Sequence, residues 1–424
     1  MIRLSRKLSS RWFAAVGATT LFGVLAPAPA AHAAPLSCGQ TVTTSVVLTA
    51  DLINCPGDGL VVGRAGITIN LNGHTVDGVG LGVGIRNDGF GNATITNSSS
   101  APAQVQQFDY GVRLNPGTAG NIVEKLTIHS NEFAGVELNG AHLNNRIRGN
   151  VIDRQAHRGV TVIGGSGSSV IADNTISNNQ NLGVFVQKSA NNRVEANRIT
   201  GSGGAGLVLE SSTGSTLLAN TIGSSRDGAI LLLLGSNGNL VQGNSATQSA
   251  DAGMIVSDST GNRLLSNNLH ANGDSGIVLQ SAHSNTVTGN DVSRNTGGLE
   301  LSSANNNVIH SNIANNTTGN GISLGLSTGN NLQLNQANQN GSRGIYIVGD
   351  ATPGAGNQLV RNTTNTNQGD GIHVSKSGQT IQGNIARDNK SWGVYADLGN
   401  IDGGGNQASN NGQAAQCMRV VCTP

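Results

Sequence analysis

A glycine followed by an aliphatic–x–aliphatic unit returns along most of this chain at a nearly constant interval. It opens at Gly111, Gly135, Gly159, Gly183, Gly206, Gly228, Gly253, Gly276, Gly298, Gly321, Gly344, Gly371 and Gly393, with successive spacings of 22 to 27 residues. A trailing asparagine keeps the same period at Asn150, Asn174, Asn197, Asn220, Asn244, Asn267, Asn290, Asn312, Asn335, Asn362 and Asn384. Two independent markers sharing one period predict a solenoid, because a unit this short cannot bury its apolar face alone and must stack on its neighbours.

The local pattern decides between helical and extended coils. Apolar residues follow each glycine at one and three positions, as in Val184/Val186, Ile277/Leu279 and Ile372/Val374. That period of two predicts a strand. A second strand surrounds each asparagine, with an aliphatic residue three positions before it (Ile147, Val194, Ile309). A leucine-rich repeat shares the period, but it needs L-x-x-L-x-L-x-x-N, and these coils lack that phase. Parallel coils stack about 4.8 Å apart. An inward asparagine must pair its amide in a dry core, and asparagines stacked in register do so by forming a ladder. A second, less complete ladder is expected at Asn145, Asn192, Asn239, Asn262, Asn285, Asn307, Asn330 and Asn357.

The stretch "GITINLNGHTVDGVG" (Gly66–Gly80) and the many GNxIxxN-type turns resemble the right-handed parallel β-helix repeat proteins of the pectate-lyase-like superfamily. The resemblance covers nearly all of the chain after its first thirty-odd residues. It implies an all-β, right-handed, single-stranded parallel β-helix with terminal caps. It also implies an activity drawn from a varied group: pectate lyases, polygalacturonases, alginate epimerases, tail-spike glycosidases and a periplasmic maturation protein. A shared fold does not choose among them. On this reading residues 34–80 form the N-terminal cap and first strands, 81–396 the repeats, and 397–424 a C-terminal cap.

The flanks predict export. Arg3, Arg6, Lys7 and Arg11 precede the apolar run "WFAAVGATTLFGVL", and "AHA" at 31–33 offers small residues for cleavage before Ala34. Residues 1–33 therefore read as a signal peptide, and the protein as secreted, periplasmic or cell-surface, without a membrane span once processed. Four cysteines allow three pairings. Local pairing, Cys38–Cys55 and Cys417–Cys422, would pin the two ends. A net charge of +1 gives no electrostatic footprint for nucleic acid.

Inward residues are committed to packing, so function belongs to turns and to the outward position two after each glycine. Three zones are candidates. Tyr346, His373 and Tyr395 place rings in consecutive coils, an expected carbohydrate platform, with Asp370 and Asp397 nearby to hydrogen-bond. Phe185, Val208, Ile230, Ile255 and Val278 form an apolar stripe on a face expected to be wet, which marks an interface. Asp227, Asp251 and Asp274 in the preceding turn would repel one another unless Arg226 or Ca²⁺ offset them. Arg113 and Glu137 read as a cross-coil ion pair. No cofactor is required by the sequence. No nucleophile–base–stabiliser set is evident, so whether the chain is an enzyme stays open; as one, it would be a polysaccharide lyase, glycoside hydrolase or epimerase. The favoured reading is a protein that binds or processes polysaccharide or cell-surface glycan on its outer groove. The alternative is a non-catalytic secreted scaffold that uses the apolar stripe.

Overall fold

The computed structural model describes residues 36–140, 143–349 and 356–424. The expected signal peptide lies outside the described residues. The described residues are all-β, wound as a parallel solenoid whose coils contribute in turn to a 17-stranded, a 16-stranded and a 10-stranded sheet, with a further 3-stranded sheet continuing the third face. Every coil-to-coil pairing is parallel, from Gln40–Val42 against Leu60–Val62 to Val394–Ala396 against Cys417–Met418. Residues from Gln40 onward thus already contribute strands to the sheets. Strands are short because three faces and their turns share about 23 residues, and β-branched side chains fill the interior.

The interior corners hold the asparagines. The Asn290 amide donates to Asn312 Oδ1 at 3.0 Å and to the Leu264 carbonyl at 2.9 Å, while its own Oδ1 accepts from Asn267 at 2.9 Å. The second ladder forms as expected, for example Asn307 to Asn330 at 3.0 Å. A third, which the sequence reading missed, runs five residues after the first, as in Asn367–Asn389 and Asn389–Asn411, both 2.9 Å. It is broken in mid-chain by Ser202, Ser225 and Ser249, all buried. A serine has no amide to continue the carboxamide ladder, and the Ser225 and Ser249 hydroxyls lack a partner.

The glycine column has a steric cause. A Cβ on Gly206 would lie 2.4 Å from Ile222 Cγ2 in the third sheet. One coil departs from the rule and corrects the sequence reading. Leu207 pairs with Ile230 and Val208 with Leu231, so Ala229, not Gly228, occupies the glycine position. The residue opposite in that coil is Ala246, in register with Ile222, which leaves room for a methyl. Ile230 is therefore fully buried in the core, and Leu231 takes its place on the outer face.

Both ends are pinned as expected, by Cys38–Cys55 and Cys417–Cys422. Such bonds fit an oxidising compartment. Among the described residues no helix is long and apolar enough to cross a membrane.

Candidate functional site

The outer face of the first sheet carries one column of side chains from coil to coil. Cross-coil register runs Arg113, Glu137, Thr161, Phe185, Val208, Leu231, Ile255, Val278, Glu300, Ser323, Tyr346, His373 and Tyr395. Alternation along each strand turns this row outward while its two neighbours pack inside.

At the C-terminal end of that face the predicted ring residues meet. His373 stacks on Tyr395 with centroids 4.7 Å apart, and Tyr346 meets His373 edge-on at 5.4 Å. The Arg343 guanidinium lies over the Tyr346 ring at 4.5 Å. Met418 continues the row beyond Tyr395. Only His373 and Tyr395 stack face to face; Tyr346 meets His373 at an angle and has the Arg343 guanidinium over its ring.

Asp370 organises those edges. Its side chain is nearly buried, and its Oδ2 lies 2.6 Å from His373 Nδ1. Arg343 Nε stands 3.7 Å from the same oxygen, and the Trp392 backbone N–H donates to Oδ1 at 2.9 Å. Burial alone would raise this carboxyl, but hydrogen bonds from His373, Ser391 and the Trp392 amide outweigh it and hold it below the usual range. An ionised Asp370 can only accept, so His373 Nδ1 is the donor in this contact. A cleft of about 240 Å³ opens beside it, lined by Ser342, Arg343, Gln368, Asp370 and Ser391. Asp397 accepts from the Tyr395 hydroxyl at 3.1 Å and pairs with Arg419 at 3.3 Å.

Arg343 and Trp392 were absent from the sequence reading, although a signal was present. Each occupies the position just before the coil glycine, as do Asp370, Arg158 and Tyr110. That column borders the outward row, and it carries polar or aromatic residues mainly toward the two ends of the rod.

The other candidates fare differently. Phe185 and Val208 are only 5% and 3% exposed, so that part of the stripe is not wet. They cluster with Ala205, against Ile163, Leu182, Leu231 and Leu233, and the Arg158 guanidinium covers the Phe185 ring at 4.3 Å. Ile255 and Val278 are half-buried. The corrected register brings Asp227, Asp251 and Asp274 into one column, each three residues before an inward strand residue. Arg226, expected in the column of Asp251 and Asp274 one coil earlier, yields that position to Asp227 and makes no ion pair with these aspartates. Among the described residues no group of three or more His, Cys, Asp or Glu converges to hold a metal ion. The Arg113–Glu137 pair forms at 2.8 Å.

The chain matches the family described as the right handed beta helix region over residues 43–179, 162–306, 267–364 and 296–413. Three solved structures illustrate the likeness. The Dettilon tailspike protein superposes with a TM-score of 0.51 at 17% identity, over 72% of this chain and 62% of that one. The A-module of the Azotobacter vinelandii mannuronan C-5 epimerase AlgE4 gives 0.48 at 13% identity, over 84% and 91%. A double mutant of the periplasmic alginate epimerase AlgG gives 0.48 at 16% identity, over 62% and 73%. No curated protein sequence matches the chain. With its family match running through nearly every described coil, the chain belongs to the right-handed β-helix family.

Proposed function

We propose that this is an exported protein that binds polysaccharide or cell-surface glycan at the C-terminal part of its outer face. The observation that carries the reading is Asp370, buried yet ionised, aiming His373 outward beside Arg343, Tyr346 and Tyr395. A saccharide presents a dense array of hydroxyls, and this site offers the complement: an imidazole acceptor, a guanidinium, two phenol edges and the Asp397 carboxylate. Arg343 adds affinity for acidic sugars. The oriented imidazole is also the one group here suited to proton transfer, so catalysis belongs in the same test.

A glycan-array and turnover screen on the purified protein, with and without Ca²⁺, tests the reading. Binding that falls about tenfold or more in Tyr346→Ala and His373→Ala supports it. Absence of binding and turnover across acidic and neutral polysaccharides sinks it and favours the scaffold reading, for which the half-buried Leu231, Ile255 and Val278 are the remaining apolar surface.

A further inference from the structure

A second concavity lies on a different face, where the third sheet changes character. Its ladder runs through three-residue strands down to Ser245–Thr247 and Asn268–His270. The coils that follow make only single bridges, Asn268 to Asp291 and Asp291 to Ile313. Side chains cause the narrowing. Asp291 Oδ1 accepts the Ser293 N–H at 3.0 Å, and Ser293 Oγ accepts the Asn315 N–H at 3.1 Å. These bonds replace ladder bonds, so the chain leaves the pleat after one residue. Where the neighbouring coil carries His270, the next carries the small Ser293, and the surface sinks into a cleft of about 350 Å³. That exceeds the cleft beside Asp370, and it falls within the range that encloses a small ligand.

The lining is chemically mixed. His270, half-buried, has its Nδ1 2.6 Å from Asn268 Oδ1 on the same strand. Arg294 is exposed and makes no ion pair, so its guanidinium is available. Asp291 supplies a carboxylate, Asn316 a primary amide, and Ile313, 36% exposed, an apolar patch. One carboxylate and one imidazole fall short of a metal's ligand set. A single guanidinium opposed by an aspartate does not select a strong anion. Donors, acceptors and one apolar wall suit a ring bearing hydroxyls on its edge and C–H groups on its face.

We propose that this cleft is a second saccharide subsite, specific for one sugar unit and separate from the His373 face. The inference rests on the glycan reading above for its ligand class but on none of the same residues. The test is calorimetric titration of wild type, Arg294→Ala, His270→Ala and His373→Ala with two defined probes, an oligomannuronate and a dextran oligomer. Among the described residues the Arg294 side chain makes no hydrogen bond or ion pair, and its backbone N–H bond to the Asn315 carbonyl at 3.0 Å does not depend on that side chain, so truncation to alanine removes only the guanidinium. The expected result is two sites in wild type. Arg294→Ala and His270→Ala each weaken one of them about tenfold, and His373→Ala removes only the other. Unchanged stoichiometry and affinity in Arg294→Ala, or no binding of either probe to wild type, overturns the second subsite. Loss in Arg294→Ala with none in His373→Ala keeps this subsite and overturns the reading of the His373 face.

Discussion

The outer face of the first sheet carries a carboxylate–arginine–aromatic cluster toward each end, and the two behave differently. Near the N-terminal end, Glu137 lies 2.8 Å from Arg113, whose guanidinium covers Tyr110 at 4.4 Å, while Arg158 covers Phe185. Burial pushes the Glu137 carboxyl up, against the pull of Arg113 and Arg158. Near the C-terminal end, hydrogen bonds hold the Asp370 carboxyl down despite its burial. The contrast lies in donors. Asp370 receives an imidazole, a hydroxyl and a backbone N–H, so its charge is solvated by the protein. Glu137 has opposite charges nearby but few aligned donors. One carboxylate organises a site; the other is a buried counter-ion that ties coils together.

The largest test of that contrast is Glu137→Ala. It strands Arg113 and Arg158 on a largely dry surface and should cost about 3 kcal/mol in urea denaturation, whereas Glu137→Met should cost less. A loss below about 1 kcal/mol would show the pair to be solvated and erase the distinction. Asp370→Asn comes next, at about 2 kcal/mol, because His373 and the Trp392 amide lose their charged acceptor. It should also weaken glycan binding by freeing the imidazole tautomer.

The pH profiles should then separate in sign. Asp370 titrates below its unfolded value of about 3.9, so its contribution is present above that pH and is lost as pH falls through the lowered folded value. Glu137 titrates above its unfolded value of about 4.3, so its contribution is present below that pH and is lost as pH rises through the raised folded value. Melting temperatures against pH should lose the first slope in Asp370→Asn and the second in Glu137→Gln. The smallest effect belongs to Arg419→Ala. Its partner Asp397 and Arg419 itself are 41% and 42% exposed, and a change above about 1 kcal/mol would mean that this rim pair is far less screened than its exposure implies.

Much of the fold was legible because a rod repeats its evidence. The glycine column reports one steric constraint many times, and each asparagine amide must find a neighbour at the same height. The reading slipped where a constraint was relaxed: Ala246 makes room for Ala229, and Gly228 then marks the wrong position and turns Ile230 outward on paper. The third ladder escaped notice because serines interrupt it. The site was half legible. Tyr346, His373 and Tyr395 followed from the outward row, and Asp370 from proximity. That His373 would stack on Tyr395, and that Arg343 would lie over Tyr346, depend on rotamers that spacing does not encode. The cleft at Asp291 and Ser293 depends on side chains displacing ladder bonds, a change invisible to periodicity.

The central claim is that Asp370 presents His373 Nε2 to a sugar. It is tested most directly by ¹⁵N NMR of the His373 ring during titration with an oligosaccharide that the array identifies. The account predicts a protonated Nδ1 before ligand is added, a shift at Nε2 on binding, and loss of both in Asp370→Asn. An imidazole protonated on Nε2, or one whose signals stay fixed while the glycan binds, would contradict it.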